Sequence, residues 1–255
     1  MRILIVTDLE GVVGVDHFAQ TRTSDEAAKA PGMHQLAREV NACIEGIHAV
    51  DPGAEVDVWD GHGNGGLFAG EVQGGRYVRG GKPYYQLAGF DAQYFVGQHA
   101  MAGTIAAPLC HTYSSLSVAY YRLNGVFVGE FGARALVAGR QGVPTIFLSG
   151  DDKAAYEAQM FVPEIETVVV KQGKGLEAAE HLDPAAACDA IRAGAARALR
   201  RLREIPPFTG IEPPYTFEMR TYEPSRDRKW EGAEAVRLDE RTVQVKSDRL
   251  EALPF

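Results

Sequence analysis

Met1-Arg-Ile-Leu-Ile-Val-Thr-Asp-Leu-Glu10 opens the chain. Its branched apolar run (Ile3, Leu4, Ile5, Val6) stops at two acids spaced one apart, Asp8 and Glu10, and Gly11 follows. A near-continuous apolar run bounded by polar residues predicts a strand buried on both faces, as in a parallel sheet. In open α/β sheets ligands gather beyond the carboxyl ends of the strands, which is where this pair sits. Alternate side chains of an extended chain share a face, so both carboxylates can point at one spot. Two anions that close repel unless a cation or a shared proton holds them. The pair is therefore read as metal ligands, the alternative being a strand end with solvated acids.

The same arrangement recurs outward from this strand. Leu36, Val40, Ile44, Ile47 and Val50 fall at helical spacing and predict a helix over 34–50, with His34 and His48 on its solvated face. Asp51-Pro-Gly53 ends it. Residues 55–60 predict a second strand, running into Gly61-His-Gly-Asn-Gly-Gly66 and presenting His62. That glycine run lacks the G-K-[ST] ending of a phosphate loop, which argues against nucleotide binding there. Residues 91–97 predict a third strand, and His99 lies directly beyond it. Residues 117–123 and 126–128 flank Asn124-Gly125, a strong hairpin signal. The returning strand is expected to end at Gly129-Glu130, with 131–138 helical.

Further strands are expected over 144–150 and 168–170, with Asp151 or Asp152 capping a helix through Phe161. Asp183-Pro184 suits a helix start and predicts a helix to about Glu204. Residues 67–90 show no usable periodicity. Beyond Ile205-Pro-Pro207 the chain is mostly extended, with alternating strands over 215–222 and 242–246. The expected fold is α/β, three-layered with a mostly parallel central sheet, plus a small β-rich C-terminal appendage. Residues 1–205 form the metal-binding catalytic domain in this reading, and 206–255 a β-rich segment packed on it.

A length of 255 residues with 45% hydrophobic and 24% charged residues is that of an ordinary globular chain able to bury a large core. A net charge of −8 argues against nucleic-acid or anionic-membrane partners. The three scattered cysteines outline neither a disulfide framework nor a zinc knuckle, which fits a reducing cytoplasm. No signal-peptide pattern is visible at the N-terminus, and no apolar stretch approaches the roughly 18 to 20 residues needed to span a bilayer.

Collected, the acids and histidines at expected strand ends are Asp8, Glu10, His62, His99 and Glu130. Three carboxylates and two imidazoles suit a pair of divalent ions such as Zn²⁺, one carboxylate bridging. Three negative charges against four positive ones leave a centre able to stabilise a hydroxide and the oxygen that turns anionic in hydrolysis. Strand positions alone do not decide which histidine serves which ion.

These residues resemble the zinc-dependent D-aminopeptidases of the dipeptide-transport-operon type. The resemblance runs from residue 1 to about 205 and more loosely through the tail. It is carried by Thr7-Asp-Leu-Glu-Gly11, Asp60-Gly-His62, Gly97-Gln-His-Ala100, His111-Thr-Tyr-Ser114, Asn124-Gly-Val-Phe-Val-Gly-Glu130 and Gly150-Asp-Asp152. It implies two zinc ions per subunit bridged by Asp8, with Glu10 and His99 completing one site and His62 and Glu130 the other. It also implies a catalytic role for His111, described in the family as a nucleophile. On chemical grounds a hydroxide held by the metals is the better attacker, leaving His111 to hydrogen-bond the oxyanion or pass a proton to the leaving amine. The implied activity is removal of an N-terminal residue, in the D configuration, from short peptides. The implied assembly is a homo-oligomer, a two-layer ring (decamer) with sites facing an internal cavity. Competing readings are another two-metal hydrolase acting on an amide or phosphoester, and a non-catalytic peptide-binding protein linked to peptide uptake.

Overall fold

The apolar run behind Asp8 becomes β1 (Arg2–Thr7), with Ile3, Leu4 and Ile5 fully buried. In the computed structural model, which describes residues 1–224, 230 and 233–255, this strand lies near the middle of a seven-stranded sheet. The elements that follow β1 are α1 (Glu26–His48), β2 (Glu55–Asp60), β3 (Arg76–Arg79), β4 (Ala92–Gln98), the hairpin β5 (Val118–Leu123) and β6 (Val126–Phe127), and α2 (Glu130–Arg140). Then come β7 (Thr145–Asp151), α3 (Asp152–Phe161), β8 (Glu166–Gly175), β9 (Ala178–His181), α4 (Pro184–Arg200), β10 (Tyr215–Thr221), β11 (Glu234–Arg237) and β12 (Thr242–Ser247).

The sheet order is β3-β2-β1-β4-β7-β8-β9, and only the β8–β9 pair is antiparallel. Two neighbours on β4 show how the layers are made. The Tyr94 hydroxyl donates to the Ala195 carbonyl of α4, whereas the Phe95 ring lies 5.0 Å from that of Phe131 on α2. Successive strand residues point to opposite faces, so α4, with α1 packed on it, covers one face, and α2 with α3 the other. The close α1–α4 approach requires Gly46, where a Cβ would sit 2.2 Å from the Arg192 carbonyl oxygen. The expected three-layer α/β architecture is what the chain adopts.

Several boundaries differ from the sequence reading. Helix α1 starts at Glu26, earlier than expected, and runs through Pro31. Asp25 caps it by accepting from the Ala27 amide at 3.0 Å. The proline costs one intrahelical hydrogen bond, but Gly32 and Met33 are buried, and the Gly32 backbone packs directly on Val15. Tertiary packing outweighs local propensity there. On the outer face His34 is exposed and paired with Glu71, but His48 is half-buried and bound to the Ala54 carbonyl. Residues 67–90 hold the edge strand β3 between short 3-10 turns and contribute the fully buried Tyr84.

The C-terminal strands join the β5–β6 hairpin in a second, antiparallel sheet ordered β11-β12-β10-β5-β6. Phe217 of β10 is fully buried, its ring 4.9 Å from Tyr121 of β5 and 5.5 Å from Phe255. This sheet shares one continuous hydrophobic core with the parallel sheet. Among the described residues no helix is long and apolar enough to cross a membrane.

Candidate metal centre

Two glycines let the chain fold tightly at the carboxyl end of β1. The Asp8 amide donates to the Val96 carbonyl at 3.0 Å and the Gly11 amide to the Gly97 carbonyl at 2.8 Å, so the segment after β1 stays locked to the end of β4. A Cβ on Gly97 would lie 2.1 Å from the Asp8 carbonyl oxygen, and Gly97 has φ +78°, a conformation open to glycine. A Cβ on Gly11 would lie 2.2 Å from the Gln98 carbonyl. Asp8 and His99, far apart in sequence, are thereby placed side by side.

His99 Nε2 lies 3.3 Å from Asp8 Oδ2 and 3.5 Å from Glu130 Oε1, and His62 Nε2 lies 3.2 Å from Glu10 Oε1. All five acids and histidines expected at the site therefore meet, and their side chains are largely buried. His62 is carried by the loop after β2. That loop is held from within by the Asp60 carboxylate, which accepts from the Gly66 amide, and from outside by Lys29, whose ammonium donates to the Asn64 and Gly65 carbonyls. Glu130 does not end a strand, as expected from the hairpin. Strand β6 stops at Phe127, and Glu130 is the first residue of α2. A carboxylate is favoured at that position by the helix dipole. Ligand atoms approach within 4.8 Å of one another in two trios, Asp8–Glu10–His99 and His99–His111–Glu130. His62 instead pairs with Glu10.

His111 stacks on His99 with ring centroids 3.9 Å apart and planes 14° from parallel. Its Nε2 faces Glu130 Oε1 at 3.7 Å. Leu109 and Tyr113, on either side of it, have φ of +53° and +58°. Such left-handed non-glycine residues cost of order 1–3 kcal/mol each and concentrate at functional sites. A cavity of about 320 Å³ opens over Asp8, Glu10, His62, His111 and Glu130.

The electrostatics follow from burying several charges together. Burial and the neighbouring Glu10 push the Asp8 carboxyl up to about 6, against the pull of His99. Burial also acts against ionised Glu10 and Glu130. At Glu10 it is outweighed by His62, and at Glu130 by Arg134 and then His99, so both carboxyls stay well below the usual range. Desolvation disfavours the imidazolium form of His62, but Glu10 wins and raises it to about 9. Asp8 and Glu130 likewise hold His99 well above its ordinary value despite burial. His111 goes the other way, lowered by burial and by the charge on His99.

These residues fit a metal. A carbonyl can only accept, so the contact of His99 Nδ1 with the Ala100 carbonyl at 2.9 Å fixes a proton on Nδ1. The other nitrogen, Nε2, faces the Asp8 and Glu130 carboxylates at 3.3 and 3.5 Å, and it is the proton held there by the two anions that a metal ion would replace. Glu10 Oε2 is buried without a partner. Buried carboxylates this close together require positive charge among them, supplied by protons on His62 and His99 or by metal ions in their place. A histidine whose outer nitrogen donates to a backbone carbonyl is the usual form of a metal-ligating imidazole.

Arg134 was not anticipated from the sequence. Its Nη2 lies 2.8 Å from Glu130 Oε2, both side chains are buried, and its guanidinium is surrounded by the Trp59, Tyr84 and Tyr113 rings. The available signal was the i,i+4 spacing from Glu130, usable once the helix is known to begin at Glu130. Lys171, also unforeseen, is buried and donates to the carbonyls of Glu10 and Val15, holding the loop after β1 from behind.

A family model described as D-aminopeptidase matches residues 1–253. A Bacillus subtilis (strain 168) protein named D-aminopeptidase is 29% identical over 274 aligned positions, covering 99% of this chain and 94% of that one. A solved structure titled as the zinc-dependent D-aminopeptidase DppA from Bacillus subtilis, a self-compartmentalizing protease, superposes with a TM-score of 0.85 at 26% identity. That match covers 99% of this chain and 94% of the other.

Proposed function

The chain belongs to the D-aminopeptidase family and is a zinc-dependent aminopeptidase, and from that premise we propose that it removes N-terminal D-residues from short peptides at a centre of two zinc ions. Asp8, Glu10, His62, His99 and Glu130 hold the ions in this reading. The observation that supports it is His99 Nε2, buried between Asp8 and Glu130 while Nδ1 is committed to the Ala100 carbonyl, so that Nε2 is the nitrogen left to exchange its proton for a metal. Zinc bound there supplies Lewis acidity, polarising a carbonyl oxygen and making a water acidic enough to yield a nucleophile near neutral pH.

The chain's own residues do the rest. His111 donates from Nδ1 to the Leu109 carbonyl at 2.9 Å, which leaves the Nε2 lone pair directed at the cavity side of Glu130. Held neutral by burial and by His99, it takes at Nε2 the proton that the attacking water loses and passes it to the leaving amine. The Arg134 guanidinium keeps Glu130 ionised and fixed.

The solved relative is titled self-compartmentalizing, and this chain exposes Ile105 (88%) and, at the cavity rim, Leu116 (73%). Apolar side chains left so open suit burial between copies, and we expect a closed homo-oligomer, a two-layer decameric ring.

The test combines metal analysis with turnover. Protein loaded with zinc should contain two equivalents per chain and hydrolyse a D-Ala dipeptide faster than its L-Ala counterpart, with no action on p-nitrophenyl phosphate. Chelation should abolish turnover and zinc should restore it. Glu130→Ala should lose one equivalent of zinc, and unchanged content would remove Glu130 from the ligands. His111→Ala should keep its zinc and lose about a hundredfold to ten-thousandfold in kcat; normal turnover would refute the proton-transfer role.

A further inference from the structure

We propose that Arg22, at the rim of the cavity, binds the free C-terminal carboxylate of the peptide and so restricts substrates to one or two residues beyond the scissile bond; this rests on the peptidase reading above. Arg22 lines the cavity whose floor holds Asp8, Glu10 and Glu130. Its Nε donates to Ser115 Oγ at 2.9 Å and its Nη2 to the Ser115 carbonyl at 3.1 Å, and the guanidinium carbon lies over the Phe18 ring, 3.3 Å from the centroid. These contacts fix the orientation of the group without neutralising it. Ser115 offers only uncharged oxygens, and among the described residues no carboxylate pairs with Arg22. The other lining arginine, Arg134, is already committed to Glu130.

An exposed, oriented guanidinium with free donors matches a carboxylate in shape and charge, and arginine is the side chain suited to such planar recognition. The polarity of the cavity runs the right way. Its deep end would hold the metal ions, which suit the scissile carbonyl and an unprotonated peptide amine, while its rim carries this cation, so the carboxylate of a short peptide meets opposite charge at the open end. The spacing sets the length. The Phe18 ring centroid lies 3.3 Å from the Arg22 guanidinium carbon and 6.4 Å from the His111 ring. Laid end to end, these separations put Arg22 within about 10 Å of His111. One extended residue advances a chain by about 3.5 Å. A carboxylate that touches Arg22 while the scissile bond lies beside His111 therefore belongs to a leaving group of one or two residues.

The experiment compares a D-Ala dipeptide with its C-terminal amide on zinc-loaded wild type, Arg22→Gln and Arg22→Lys, with zinc content and the thermal transition measured for each. Wild type should favour the free acid by about tenfold or more in kcat/KM, the difference residing in KM. Arg22→Gln should bring the acid-to-amide ratio close to one with zinc content unaltered. Arg22→Lys, which keeps the charge and loses the fork, should retain part of the preference. A residue that merely clamped the Ser115 loop would alter both substrates alike and leave the ratio untouched. A wild-type ratio of one, or an Arg22→Gln ratio equal to that of wild type, overturns the assignment while leaving the peptidase reading intact. Failure of zinc-loaded wild type to cleave either substrate overturns both.

Discussion

Arg134→Met probes the balance of charge beneath the metal centre. Methionine approximates the length of the arginine stem and keeps apolar contact with Trp59, Tyr84 and Tyr113, so the change removes a charge and creates little cavity. Arg134 and Glu130 are 3% and 6% exposed and meet at 2.8 Å. Deleting one partner of a buried pair leaves the other uncompensated, at about 3–5 kcal/mol. For a chain of this length that corresponds to a fall of roughly 10 °C in Tm. The size of the loss should depend on metal. In chelated protein Glu130 would keep only His99, His111 and the Tyr113 amide as partners, and the full loss is expected. In zinc-loaded protein the cation takes over part of the compensation, and the loss should fall by half or more. Urea denaturation of wild type and variant at one protein concentration, with chelator and with zinc, measures both differences. Equal losses in the two conditions would show that no metal neutralises Glu130. A loss below about 1 kcal/mol in chelated protein would show that the pair is far better solvated than its burial indicates.

Gly97→Ala should destabilise the protein by about 3 kcal/mol or more, because the new Cβ meets the Asp8 carbonyl oxygen at 2.1 Å at a φ of +78°. The same displacement moves Asp8, so zinc content should fall with stability; a variant with full zinc and wild-type stability would refute the packing argument. Glu39 is fully buried beside the Val13 amide, and burial pushes its carboxyl up to about 7 in spite of that hydrogen bond. The unfolded chain ionises this group near 4.5, so the folded state binds the extra proton between the two values. Stability should accordingly be greatest below pH 4.5 as far as this group is concerned, and fall by about 3 kcal/mol as pH rises to 7. Glu39→Gln should be more stable than wild type at pH 8, with the gap closing by pH 5, as followed by denaturation at each pH. An unchanged gap would refute the assignment.

The framework of this protein was legible in its sequence because its sheet is parallel and buried. Strands covered on both faces must be apolar throughout, so the runs at β1, β4 and β7 stand out, and an abrupt polar residue after each marks the ligand-bearing edge. Local capping chemistry was equally readable: Asp151 and Asp183 cap α3 and α4, each accepting from two backbone amides. Residues 67–90 stayed obscure because β3 is a short edge strand with half-exposed residues, which leaves no run to detect. The start of α1 was hidden by Pro31, whose local preference is overruled by packing on Val15.

What only the tertiary structure decided concerns groups whose meaning depends on partners distant in sequence. The stack of His111 on His99, the pairing of His62 with Glu10, and the pairing of β10 with the hairpin strand β5 each join segments that no periodicity links. Sequence patterns report how much of each residue is buried. Which group it is buried against is settled when strands and helices close around one centre, and there the charges at positions 8, 10, 62, 99 and 130 become a single electrostatic problem.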